Sequence, residues 1–184
     1  MLKALELGLF VSVGITFLGA AGSEKLRNYF VQNDKYERTN QEWYLHLKKP
    51  ALNPPDWLFL PVWLVLYCCM SVAAFLVWRD GDGFDGCAAG ALFLYGVQLL
   101  LNWTWTPLFF GLHRVFDGVA LLLLLNFFIT ASLLFMFPVN SNASYLMVPY
   151  LLWTMFATYL NLAIWQANCS RSNNNDNNKH QPCQ

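Results

Sequence analysis

Apolar residues in this chain gather into long unbroken runs, not into narrow stripes of helical period. Five such runs stand out, at about 4–22, 58–78, 88–110, 115–137 and 145–167. Each is close to the ~20 residues a helix needs to cross a bilayer core. Sustained polar/apolar alternation is absent, which argues against strands as the spanning element. A helix also satisfies its own backbone hydrogen bonds in lipid. The pattern therefore predicts an all-α integral membrane protein, a bundle of five transmembrane helices, occupying residues 1–168 as one domain. Residues 169–184, rich in Asn and Gln, read as a disordered polar tail. The first run has a second reading. Met1-Leu2-Lys3, an apolar stretch and then Gly19-Ala20-Ala21-Gly22-Ser23 also match a secretory signal with a small-residue cleavage site, although Glu6 counts against it.

The linkers differ greatly in length. Most connections in compact domains are about 4–6 residues, whereas the first here runs from 23 to 57. Its end is rich in aromatics and prolines: Trp43-Tyr44-Leu45-His46-Leu47-Lys48-Lys49-Pro50-Ala51-Leu52-Asn53-Pro54-Pro55-Asp56-Trp57. The prolines stiffen the backbone and stop a helix. A stiff lid over the bundle fits, and so does an interfacial belt built from Trp43, Tyr44 and Trp57. The linker Asp80-Gly81-Asp82-Gly83-Phe84-Asp85-Gly86 reads as a solvated turn, since an EF-hand would need a downstream Glu. Two glycosylation sequons, at Asn142 and Asn168, lie close to membrane ends and read as chance matches.

Charge gives an orientation. With five spans, one side holds Lys25, Arg27, Lys35, Arg38, Lys48, Lys49, Arg114, Arg171 and Lys179, and the other only Lys3 and Arg79. That bias places the long loop and the C-terminus in the cytoplasm. Composition supports a membrane setting: 57% of residues are hydrophobic and only 12% charged, against about 45–50% and about 25% in soluble domains. Aromatics make up 17%, with eight Trp, a residue that favours the membrane interface. No basic stripe points to nucleic acid. Five cysteines without framework or zinc spacing imply neither a disulfide scaffold nor a metal site.

Polar residues at membrane depth are the candidate chemistry. Gln98, Asn102 and Trp105 share a face of the third span, Asn126 and Thr130 repeat the spacing in the fourth, and Trp153, Ala157 and Asn161 do so in the fifth. Such amides either tie helices together or line an internal cavity. Pro61, Pro107, Pro138 and Pro149 each bend or end a helix, with termination the better reading for Pro138. Asp117 reads as a helix N-terminal charge beside His113. No nucleophile–base–acid set is present, so catalysis is not expected, and neither is a cofactor. Gly86-x-x-x-Gly90 is a weak helix-contact match.

Several blocks, in order, resemble the TspO/MBR family of tryptophan-rich sensory proteins and translocator proteins (peripheral benzodiazepine receptors). They are Trp43-Tyr44 with Lys49-Pro50; Asn53-Pro54-Pro55; Pro61-Val62-Trp63 with Leu66-Tyr67 and Met70; Leu94-Tyr95 with Gln98-Leu99; Leu101-Asn102-Trp103-x-Trp105 with Pro107 and Phe109-Phe110; and Pro149-Tyr150-Leu151-x-Trp153 with Phe156-Ala157-Thr158 and Leu160-Asn161. The resemblance covers about residues 43–168. It implies a five-helix membrane bundle whose first loop closes a ligand pocket, and it makes the first run a retained span. It implies porphyrin, sterol or benzodiazepine-type ligands, a location in the outer mitochondrial membrane with the C-terminus toward the cytosol, and leaves room for a homodimer. Carried onto this chain, the ligand-binding residues would be Trp63, Val62, Gln98, Asn102, Trp105, Trp153, Ala157 and Leu160. Pro50, Ala51, Asn53 and Pro54 of the loop would cover the site.

Three departures qualify the resemblance. The stretch Leu160–Gln166 lacks the Tyr and Arg of the vertebrate cholesterol-recognition pattern. A ligand-contacting Trp early in the fourth helix is replaced near Asp117, and the Glu24–Gln41 part of the loop is longer than in the family. Three readings follow: a binding and transport protein for a porphyrin or sterol, a porphyrin-degrading photocatalyst using Trp63 and Trp153, and a membrane scaffold without a small-molecule role.

Overall fold

The computed structural model describes residues 2–31, 47–50, 52–84, 86–112 and 114–169. The described elements are all helical: α1 (Leu2–Val31), α2 (Asp56–Asp80), α3 (Gly86–Thr106), a π-helical turn (Pro107–Gly111), α4 (Val115–Met136) and α5 (Ser141–Cys169). The expected loop at 23–57 is shorter than the sequence suggested. Helix α1 continues to Val31 because Glu24-Lys25-Leu26-Arg27 are all good helix formers. Residues 32–46, including Trp43, Tyr44 and His46, lie outside the described residues, as do Ala51, His113 and everything beyond Cys169.

Five helices close into a ring in which α1 packs on α2, α2 on α5, α5 on α4, α4 on α3 and α3 back on α1. Met70, Ala73, Val77, Ala91, Leu125, Ile129, Met136 and Met147 are fully buried at the centre. The outside is equally apolar: Phe93 is 70% exposed and Leu134 69%. A helix that is hydrophobic all round needs either a protein interior or lipid around it, and so much exposed apolar surface on several helices requires lipid. Among the described residues, three helices are long and apolar enough to cross a membrane by length and composition alone: Trp57–Asp80, Val115–Met136 and Ser141–Asn168. Helices α1 and α3 join them in the bundle, and every helix carries at least one buried polar side chain.

Several of those polar groups form interhelical ties. Ser71 donates to Thr16 at 3.1 Å, Thr16 and Tyr95 share a hydrogen bond of 3.3 Å, and Ser12 donates to the Ser71 carbonyl at 2.9 Å, joining α1, α2 and α3. Asn126 on α4 donates to Thr158 at 2.8 Å and accepts from Thr154 at 2.7 Å, joining α4 to α5. At Asn126, then, the amide binds helix to helix. Close approach of α1 and α3 needs Gly19, since the Trp103 indole lies within 2.0 Å of where a Cβ would stand. Gly90 likewise packs near Phe135 of α4, whereas a Cβ at Gly86 would meet open space.

The prolines act as their positions dictate. Pro55 is the extended residue before α2 (φ −63°, ψ 143°), and Pro138 sits in the turn after α4. Pro61 and Pro149 lie inside α2 and α5. The turn after α2 carries positive φ at Asp82 (57°), Gly83 (81°) and Gly86 (57°), and no metal-ligating cluster occurs among the described residues. Asn140 accepts from the Ala143 N–H at 2.9 Å, capping α5, and also donates to Asp80. Ser144 of the first sequon is buried and donates to the Leu133 carbonyl at 2.9 Å, which commits that segment to the helix start.

Candidate ligand-binding site

A cavity of about 570 Å³ opens inside the end of the bundle where α1 finishes and α2 begins. Every helix contributes to its wall, together with Asn53 from the loop. Its size is that of a small-molecule site. Three tryptophans line it: Trp63 from α2, Trp105 from α3 and Trp153 from α5.

Each of these rings packs against other aromatics. Trp63 leans on Tyr67 with ring centres 5.3 Å apart and meets Tyr150 edge-on at 6.3 Å. Trp153 meets Phe59 edge-on at 5.8 Å and packs on Phe156 at the same distance. Trp105 stacks on Phe109 at 5.1 Å with only 16° between planes. That stack depends on Pro107. Without an N–H it cannot continue the α ladder, the chain passes into a π turn, and Phe109 and Phe110 swing onto the cavity. Phe110 then meets both Trp105 and Phe109 edge-on, at 5.7 and 4.9 Å. Asn102 is held by donating to the Tyr67 hydroxyl at 3.2 Å. The walls are thus set by aromatic packing and do not need a guest to order them.

The described end of the first loop is tied down over this opening. The Lys48 N–H donates to the Asn168 side-chain oxygen at 3.1 Å, and the Asn168 amide nitrogen donates to the Lys48 carbonyl at 3.2 Å. A turn follows in which the Asn53 N–H reaches the Pro50 carbonyl at 3.0 Å. It presents Asn53 to the cavity.

Of the residues expected at the site, Trp63, Asn102, Trp105, Trp153, Ala157, Leu160 and Asn53 line one cavity. Pro50, Pro54, Val62 and Gln98 do not. Pro50 and Pro54 act through carbonyls that accept from Asn53. Val62 packs against the hydrophobic core. Gln98 is fully buried one turn deeper than Asn102, and its amide has no partner among the described residues. Ala51 lies outside the described residues. Sequence reasoning did not place Phe59, Leu60, Thr106, Thr154, Ile164, Leu122, Leu125 or Glu24 at the site. Phe109 and Phe110 stand in the family-like blocks without a cavity role there, whereas Asn161 is one of the amides whose spacing reads as helix tie or cavity wall. Helical spacing was the available signal, since Ala157, Asn161 and Ile164 succeed one another on one face of α5.

A family model described as the TspO/MBR family matches residues 11–166, which takes in all five helices. The chain belongs to the TspO/MBR family. Similar proteins include a Translocator protein of Ovis aries, 35% identical over 160 residues, which are 87% of this chain and 91% of that one. A Translocator protein of Homo sapiens is 40% identical over 126 residues, 68% of this chain and 75% of that one. A Tryptophan-rich sensory protein of Cereibacter sphaeroides is 36% identical over 158 residues, 85% and 92% of the two chains. This TspO/MBR member is a membrane protein whose described residues form five long helices, and the family match reaches into α1. Asp117, near which the family resemblance would put a Trp, pairs with Arg114 in the first turn of α4 and stays off the cavity wall. Its neighbour Gly118 faces the cavity aromatics, with Phe109 3.1 Å from where its Cβ would be.

Proposed function

We propose that this TspO/MBR protein binds a flat apolar ligand of the porphyrin type, with a sterol as a second guest, in the cavity at the long-loop end of the bundle. The observation that carries this reading is the cavity itself: about 570 Å³ walled by Trp63, Trp105 and Trp153, each ring held in place by other aromatics. Aromatic faces suit a conjugated macrocycle. No Lys, Arg or His lines the cavity among the described residues. Carboxylates of a porphyrin would therefore point outward, where exposed Lys48 lies on the tethered loop. The Lys/Arg bias supports a long loop and C-terminus in the cytosol, and an outer mitochondrial membrane location belongs to the same proposal.

The test is a titration of purified protein in detergent with protoporphyrin IX. Saturable quenching of tryptophan fluorescence and a rise in melting temperature are expected. A scaffold without a small-molecule role would show neither, and that result would remove the proposal. A second reading, light-driven degradation of the bound porphyrin, has one observation in its favour: Trp63 and Trp153 both reach the same cavity.

A further inference from the structure

The side chains around the cavity share one electrostatic sign. Six aromatic residues line it: Phe59, Trp63, Trp105, Phe109, Phe110 and Trp153. Among the described lining residues a single side chain carries a formal charge, the carboxylate of Glu24. Glu24 lies toward the C-terminal end of α1 and is exposed, which places it at the cavity mouth. The loop lysines Lys48 and Lys49 are not part of the described lining.

These groups act on the charge of whatever enters. The face of an aromatic ring carries negative potential, so it attracts a cation and repels an anion. A carboxylate has the same preference. A charged group leaving water loses its hydration and needs something in return. An ammonium entering this space recovers part of that loss from the rings and from Glu24. A carboxylate recovers nothing from either. Water at the mouth screens Glu24, so the rings inside account for the larger share of the preference.

We infer that the cavity selects its guests by charge: it takes a flat apolar molecule bearing a basic nitrogen, as the ammonium, ahead of the neutral alcohol of the same shape, and it disfavours the matching carboxylate. This rests on the cavity being the ligand site, and it adds a substrate class to that reading. For a porphyrin it requires that the macrocycle enters while its carboxylates stay outside.

The test uses the full chain in nanodiscs of zwitterionic phosphatidylcholine and three flat fluorescent probes at neutral pH: 1-pyrenemethylamine, 1-pyrenemethanol and 1-pyrenecarboxylate. Energy transfer from protein tryptophan to pyrene gives each dissociation constant, after subtraction of signal from nanodiscs without protein. In the unaltered protein the amine should bind about three- to thirtyfold more tightly than the alcohol, as expected for a cation held against aromatic rings, and the carboxylate more weakly than the alcohol. Glu24→Gln should lower the amine-to-alcohol ratio about two- to fivefold. Asp117→Asn removes an acid that pairs with Arg114 off the cavity wall and should leave the ratio unchanged. An amine that binds no more tightly than the alcohol, or a carboxylate that binds as well as the amine, would overturn the selection rule. So would a ratio that Glu24→Gln does not lower, or that Asp117→Asn lowers equally. The alcohol separates this rule from the reading beneath it: if the alcohol binds and Ala157→Leu weakens it, the cavity reading stands even where the charge order is wrong. If none of the three probes binds, both fall.

Discussion

Replacing Ala157 with Leu tests the cavity most directly. Ala157 lies on α5 one turn from both Trp153 and Asn161, and all three line the same space. Leucine adds three carbons to that wall. In the protein alone they project into a cavity of about 570 Å³, so its stability should hold or rise slightly. A guest filling the space meets them as overpacking, which costs about 1–3 kcal/mol and weakens binding about 5- to 150-fold. Thermal shift with protoporphyrin IX reads this out. At a ligand concentration 100 times the dissociation constant, binding stabilises the native protein by about 2.7 kcal/mol, and a tenfold loss of affinity lowers that to about 1.4 kcal/mol. For a chain of this size each kcal/mol moves the melting temperature by about 2–4 °C. The ligand-induced rise should therefore shrink by about 3–5 °C. Leu152, 62% exposed on the outer side of α5, supplies the control, and its change to Ala should leave the shift intact. Undiminished affinity in a stable Ala157→Leu protein would mean that the guest binds elsewhere.

Other perturbations probe the frame around the cavity. Asn168→Ala removes both hydrogen bonds to Lys48 and should speed ligand association and dissociation together, as followed by stopped-flow tryptophan quenching; unchanged rates would show that the loop does not gate the cavity. Asn126→Leu loses its bonds to Thr154 and Thr158, each worth about 0.6 kcal/mol in a bilayer. Both threonines keep a bond to a carbonyl of their own helix, so detergent unfolding should report a loss of only about 1 kcal/mol. Gly19→Ala must displace the Trp103 ring and should destabilise by about 1–3 kcal/mol, whereas Gly22→Ala, with open space around it, should be neutral in the same melting assay. If bound porphyrin is photodegraded through the tryptophans, Trp63→Phe or Trp153→Phe should abolish the light-dependent spectral change; equal turnover in both variants would discard that chemistry.

Much of the bundle was legible in the chain because a helix in lipid is a local matter. Backbone groups have nowhere else to bond, so a long apolar run becomes a helix wherever it falls, and the predicted runs match α2, α4 and α5 to within a few residues. Local reading failed where two local rules competed. Residues 23–31 are polar enough to look like loop, yet Glu24, Lys25, Leu26 and Arg27 among them are good helix formers and α1 runs on through them, which carries Glu24 to the cavity. At 107–110, a proline within an apolar run produced a π turn instead of a kink or a stop.

Apolar run length and composition by themselves decided that this protein is helical, how many long helices the described residues form, and that lipid surrounds them. Which face of each helix lines the cavity was settled only when the ring closed. Gln98 and Asn102 have the same chemistry and, four residues apart, the same face, yet one is locked in the core and the other reaches the cavity. Spacing along one helix reports direction around its axis. It carries no information on how far the neighbouring helices stand away at that depth, and that distance is what turns a buried amide into core or into a binding wall.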